Sequence, residues 1–114
     1  MSDNPEPLGC GFLVRAVGTY PVGAPEKFTE DQRMFAATAE RFALDEVVPV
    51  REDIEHPDPH FSTMVSLLRR AGELGLLMID VPEAYGGLGM DVTTSMLCSE
   101  KLAKNGSFAV SWGA

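Results

Sequence analysis

Few residues in this chain have the type and spacing to do chemistry. His56 and His60 flank Pro57-Asp-Pro59 and follow Glu55, a set of nitrogen and oxygen donors of the kind zinc takes. The two prolines between the histidines break the helical i, i+4 geometry that would bring both imidazoles to one ion. With Asp58 as the remaining neighbour and no convincing third ligand, solvated loop histidines and no metal site are expected. Pro82–Met90 holds Gly86, Gly87 and Gly89, and glycine-rich loops can cradle phosphate. Phosphate loops, however, carry a Lys-Ser/Thr pair, or sit between a strand and a helix at fixed spacing. This segment has neither, so a tight turn between helices is the expectation. Glu100 beside Lys101 is a lone carboxylate, which makes no acid–base site without a partner, and a surface or interdomain contact is expected there. Cys10 and Cys98 match no metal or redox spacing. A disulfide between them is conceivable, but two cysteines make no framework, and reduced thiols are expected.

The elements that would position these residues read as helices. Residues 1–28 carry four of the eight prolines, at 5, 7, 21 and 25, and read as an extended arm. Its centre, Phe12-Leu-Val-Arg-Ala-Val17, is apolar enough to lie against a partner subunit or another domain. Thr29-Glu-Asp-Gln32 is a capping box that opens a helix, with acidic residues in the first turn to suit its dipole. Phe35, Ala39, Phe42, Ala43 and Val47 then form one apolar face, and Pro49 should end the helix. Residues 51–60 read as a charged connector. A second helix is expected from Phe61 to Leu74, with Met64, Leu67, Leu68 and Ala71 facing inward and Gly75 as its stop. Asp91 should cap a third helix over 92–104, closed by Asn105-Gly106, and Ser107 should cap a fourth. The fold class is therefore all-α, about four helices packed up-and-down over 29–114, with the arm at 1–28. The apolar ending Ala109-Val-Ser-Trp-Gly-Ala114 is unlike a domain boundary, and a chain cut before its next domain is expected.

The bulk numbers exclude some functions. The net charge is −8 and the pI about 4.6, so nucleic acid, which needs concentrated Lys and Arg, is not the expected partner. No apolar run approaches the ~20 residues of a membrane span. The acidic, proline-rich start is unlike an export signal, so the cytoplasm is expected.

One ordered set of motifs is specific. Gly72-Glu-Leu-Gly-Leu-Leu-Met-Ile-Asp-Val-Pro-Glu-Ala-Tyr-Gly-Gly-Leu-Gly-Met-Asp91, followed by Ser99-Glu100, closely resembles the N-terminal signature of acyl-CoA dehydrogenases. Phe28-Thr-Glu-Asp-Gln32 and Glu46-Val-Val-Pro49 agree with it upstream. The leader Gly9-x-Gly-Phe-Leu13 is similar to that of bacterial members related to the very-long-chain enzymes. The resemblance covers roughly residues 9–114 and implies the N-terminal helical domain, cut before a middle β-domain and a C-terminal helical bundle.

That resemblance implies FAD as cofactor, acyl-CoA as substrate, an electron-transferring flavoprotein as partner and a homo-oligomer for the whole protein. It places the catalytic glutamate and most flavin contacts beyond Ala114, so no catalytic residue is assigned here and the stretch alone should be inactive. Ala109 and Gly113, one turn apart, fall where the acyl chain would run, and small residues there would leave a deep channel. Close helix packing explains them equally well. Leu76, Leu88 and Met90 match an apolar docking patch for the flavoprotein, with ordinary burial as the competing reading. Two other functions remain open: the N-terminal part of an acyl-CoA oxidase, and a stand-alone helical interaction module derived from the family.

Overall fold

A computed structural model describes Leu13, Ala16 and residues 24–56 and 61–114. Among the described residues there are helices and turns and no strand. The elements are α1 (Glu30–Phe42), α2 (Arg51–Glu55), α3 (Phe61–Glu73), α4 (Val92–Leu102) and α5 (Gly106–Gly113). The four expected helices are present, and α2 is an addition. Most of the arm, with Phe12 and Cys10, lies outside the described residues, as do His60 and Asp58. Where the arm is described, Pro25–Lys27 is a 3-10 turn rather than extended chain, with proline at its start, where its missing N–H costs nothing.

Helix α1 starts as its capping box requires. The Gln32 backbone N–H donates to Thr29 Oγ1 at 3.1 Å, and the Thr29 N–H donates to Gln32 Oε1 at 2.9 Å. Two of the N–H groups that a helix start leaves open are thereby satisfied. Pro49 does not end the helical path. Ala43–Val47 widens into a π turn, Val48–Val50 tightens into a 3-10 turn, and α2 follows directly. Val48, before the proline, keeps α-region angles of φ −58° and ψ −42°. Pro49 sits in the first turn of the new segment, where a fixed φ is already helical and no N–H donor is needed. Half of the expected charged connector is therefore helix.

Helix α3 ends at glycine for a visible reason. Gly75 holds φ +80°, a left-handed angle that other residues adopt at a cost, and its N–H donates to the Gly72 carbonyl at 3.0 Å. The Leu76 N–H reaches back to the Ala71 carbonyl at 2.9 Å, closing the helix end. Helix α4 is capped by Asp91 as expected, but α5 starts two residues earlier than expected. Asn105, not Ser107, is its cap, with Oδ1 accepting from the Phe108 N–H at 2.8 Å. Asn-Gly reads locally as a helix stop, yet here the same residue begins the next helix. Asn105 is buried, and its Nδ2 donates to Glu55 Oε1 at 3.0 Å, so the cap also ties α5 to α2.

The core runs through Ala39, Phe42, Ala43 and Val47, Leu67 and Ala71, Leu76 and Ile79, Cys98 and Leu102, and Phe108. Phe42 and Phe108 meet edge to face, with centroids 5.6 Å apart and planes at 63°. Burying such side chains contributes about 1.5–3 kcal/mol each, and the ring geometry adds roughly 0.5–1.5 kcal/mol. Helix α1 packs chiefly against α4, and a single carboxamide joins their starts. Gln32 Nε2 donates to Asp91 Oδ2 at 2.9 Å while its Oε1 serves the cap of α1.

Candidate functional site

The segment between α3 and α4 is a closed loop built on backbone bonds. The N–H groups of Leu88, Gly89 and Met90 donate to the carbonyls of Met78, Val81 and Ile79, each at 2.8 Å. Inside that neck, Glu83–Tyr85 makes a 3-10 turn, and the N–H groups of Tyr85, Gly86 and Gly87 donate to Pro82 or Glu83 carbonyls. All six amides from Tyr85 to Met90 are therefore engaged within the loop. A phosphate cradle needs such amides free to point at the anion, so this loop does not fit the pyrophosphate of a nucleotide cofactor. Its glycines serve the turn, as the sequence reading expected.

Gly86 and Gly87 are glycine for different physical reasons. Gly86 holds φ +82° with open space where a side chain would stand. Gly87 is not left-handed, but a Cβ there would come within 2.0 Å of the Val81 carbonyl oxygen. The loop neck passes over Val81 so closely that only a bare backbone fits.

The three residues expected to dock a partner differ in burial. Leu76 is 1% exposed and belongs to the core, which is the competing reading of ordinary burial. Its place three residues past the end of α3 turns it inward, into the same core cluster as Ala71 and Ile79. Met90 is half-buried and packs against that core, and Leu88 is 41% exposed. Leu77, 40% exposed, was missed by the sequence reading. It shares the apolar run 76–79, in which only the turn geometry decides which side chains face out.

On α5, Ala109 is half-buried and Gly113 exposed. Gly113 lines a cleft of about 360 Å³ with Leu76, Leu77, Ile79 and Asp80 of the turn, Ser95 and Ser99 of α4, and Trp112. Ala109 is not in its lining. A Cβ built on Gly113 meets nothing within 4 Å, so the glycine leaves open space. Trp112 is half-buried, and its Nε1 donates to the Leu76 carbonyl at 3.0 Å. That bond, across 36 residues of sequence, was invisible to a local reading.

Glu100 and Lys101 line a second groove of about 450 Å³ between α1 and α4, with Pro25, Phe28 and Ala36 among its walls. Asp91 sits at the start of α4, where hydrogen bonds from the Thr94 hydroxyl (2.6 Å) and backbone N–H (2.9 Å), then from Gln32, hold its carboxyl below the usual range. This is a structural carboxylate, with its proton acceptors spent on capping. Burial pushes the Cys98 thiol up to about 11, so at neutral pH it is a small apolar side chain of the core. Among the described residues no group of three His, Cys, Asp or Glu side chains could hold a metal ion. No helix among them is long and apolar enough to cross a membrane.

Comparison with known proteins agrees with this geometry. The family model of the acyl-CoA dehydrogenase N-terminal domain matches residues 29–114. A probable acyl-CoA dehydrogenase of Bacillus subtilis is 46% identical over 106 residues, covering 93% of this chain and 18% of that protein. The mitochondrial isovaleryl-CoA dehydrogenase of Solanum tuberosum is 33% identical over 88 residues, 76% of this chain and 21% of that protein. The crystal structure of an acyl-CoA dehydrogenase complexed with FAD from Bacillus anthracis superposes with a TM-score of 0.76 at 46% identity, covering 82% of this chain and 16% of that one. The chain thus spans about a fifth of the length of the relatives it matches.

Proposed function

Since the chain belongs to the acyl-CoA dehydrogenase family, we propose that it is the N-terminal helical domain of an FAD-dependent enzyme that oxidises an acyl-CoA to its α,β-unsaturated thioester. The observation that carries this reading is the match of residues 29–114 to the family's N-terminal domain, beside a 46% identical solved relative complexed with FAD. The activity is assigned to the whole protein, and the role fits fatty-acid β-oxidation in the cytoplasm. FAD, when bound, supplies the acceptor for the hydride that leaves the β-carbon.

The glycine-rich loop is not the part that would hold that cofactor's pyrophosphate, because it spends its amides internally. No carboxylate among the described residues is assigned as the base, and residues 1–114 alone are inactive on this reading. What these residues do is structural and topographic. The closed loop 76–90 and α5 form the walls of the cleft at Gly113, the proposed entry for part of the acyl chain. Ala109, one turn earlier on α5 and outside that lining, is the second residue proposed along the acyl chain. Leu88, with Met90 behind it, is the proposed contact for an electron-transferring flavoprotein. Homo-oligomer formation is assigned to the whole enzyme.

The test is the gene itself. Sequencing beyond the Ala114 codon should reveal a frame continuing into a β-rich middle domain and a helical C-terminal domain with a candidate glutamate base. A stop codon directly after Ala114 would overturn the enzymatic reading in favour of a stand-alone helical module.

A further inference from the structure

Asn105-Gly106 carries chemistry that needs no ligand. The Gly106 backbone nitrogen can attack Cγ of the Asn105 carboxamide, forming a C–N bond as ammonia leaves. Water then opens the five-membered imide at one carbonyl or the other, giving aspartate or isoaspartate with no change of oxidation state. Asparagine is thermolabile for this reason, and a following glycine has no side chain to hinder the attack. The fold blocks the reaction in two ways. Asn105 has ψ 112°, which turns the Gly106 nitrogen to the far side of the Cα–C bond from the side chain. Ring closure needs both on one side. The carboxamide is also held at both of its atoms: Oδ1 accepts from the Phe108 N–H at 2.8 Å, and Nδ2 donates to Glu55 Oε1 at 3.0 Å. Asn105 and Phe108 are both buried. Turning ψ to the reactive side carries the first turn of α5 away from the carboxamide, so these bonds must break first.

The product does not fit the place it leaves. Aspartate at 105 can still cap α5, but it sets an oxygen where Nδ2 stood, 3.0 Å from Glu55 Oε1. The other oxygen of Glu55, Oε2, is taken by Arg51 Nε at 3.0 Å. Two carboxylates meeting at that distance in a buried joint repel. Isoaspartate adds a methylene to the backbone and displaces the cap altogether.

We propose that Asn105-Gly106 is a gated self-modification site: it deamidates only while the joint between α5 and α2 is open, and the product keeps that joint from closing. Time spent open is thereby recorded as a covalent change.

The test uses the protein made from the complete reading frame, incubated folded and in urea at one mildly alkaline pH. Peptide mapping by mass spectrometry reads the fraction deamidated at position 105. Deamidation should be roughly thirtyfold slower in the folded protein, about what two ordinary hydrogen bonds hold closed. Equal rates in the two states overturn the gating, and the proposal with it. Glu55→Ala removes the acceptor of Nδ2 and should raise the folded rate roughly fivefold, with the rate in urea unchanged. Glu55→Gln keeps an acceptor oxygen and should leave the folded rate at the wild-type value. A folded rate that neither variant moves, or that both raise alike, removes Glu55 from the gate and overturns the proposal. Asn105→Asp, which keeps the cap, reports on the product directly. It should lower the urea midpoint by roughly 0.5 M with Glu55 present and by much less beside Glu55→Gln. Equal losses in both backgrounds overturn the one-way step.

Discussion

Gly87→Ala is the sharpest perturbation of the loop that closes α3 onto α4. The added methyl would stand 2.0 Å from the Val81 carbonyl oxygen and 2.4 Å from its carbon, so the backbone must part by roughly 1 Å to reach ordinary contact. The neck at that point is held by the Leu88, Gly89 and Met90 N–H bonds. Parting the two sides of the neck by that much forfeits them, at about 1 kcal/mol each, for a loss of about 3 kcal/mol. Gly86→Ala is the control. Its methyl meets open space, and its φ of +82° costs only the left-handed penalty, roughly 1–2 kcal/mol. Gly86→Asn should cost less still, since asparagine visits that region, whereas Gly87→Asn should be as damaging as Gly87→Ala. Equilibrium urea unfolding reads the difference as a midpoint shift of roughly 1–3 M for Gly87→Ala. The reasoning is refuted if Gly87→Ala costs no more than Gly86→Ala.

Other outcomes follow from the same contacts. Leu88→Asp should slow reduction of an electron-transferring flavoprotein by the whole enzyme while sparing reduction of an artificial dye, and equal losses with both acceptors would remove the docking role. Asp91 has a folded-state pKa below its usual value, so its contribution is full above about pH 4 and is lost as pH falls through the folded value. The wild-type urea midpoint should therefore drop more steeply on acidification below about pH 4 than that of Asp91→Asn, and parallel curves would contradict this. Cys98, with its thiol pushed up to about 11 and no exposure, should resist alkylation at neutral pH until the chain unfolds. Labelling at the rate of a free thiol peptide would show the packing around α4 to be wrong.

Much of this fold is legible in the sequence because its helix signals are local. The Thr29–Gln32 box, the Asp91 cap and the Gly75 stop each depend on residues within one turn, and each is found where the spacing puts it. Pro49 misleads because its geometry forbids an α-helical continuation but suits the first turn of a new segment. Asn105-Gly106 misleads because the same pair suits a helix end and a helix start. The choice was made by Glu55, fifty residues away in sequence. The candidate site is less legible for the same reason. Leu76 and Leu77 are neighbours of one type, yet one lies in the core and the other faces out. The bond that joins Trp112 to the turn is a tertiary fact that no window of sequence contains. Gly86 and Gly87 were readable as turn residues, but only the path of Val81 beneath them says which one tolerates a side chain.

The most direct test of the central claim is anaerobic titration of the protein encoded by the complete reading frame with an acyl-CoA series, watching the flavin spectrum. The account predicts a yellow protein whose flavin is bleached by acyl-CoA, with a dependence on chain length that Gly113→Leu alters. A gene product that carries no flavin, or whose flavin no acyl-CoA reduces, would contradict it.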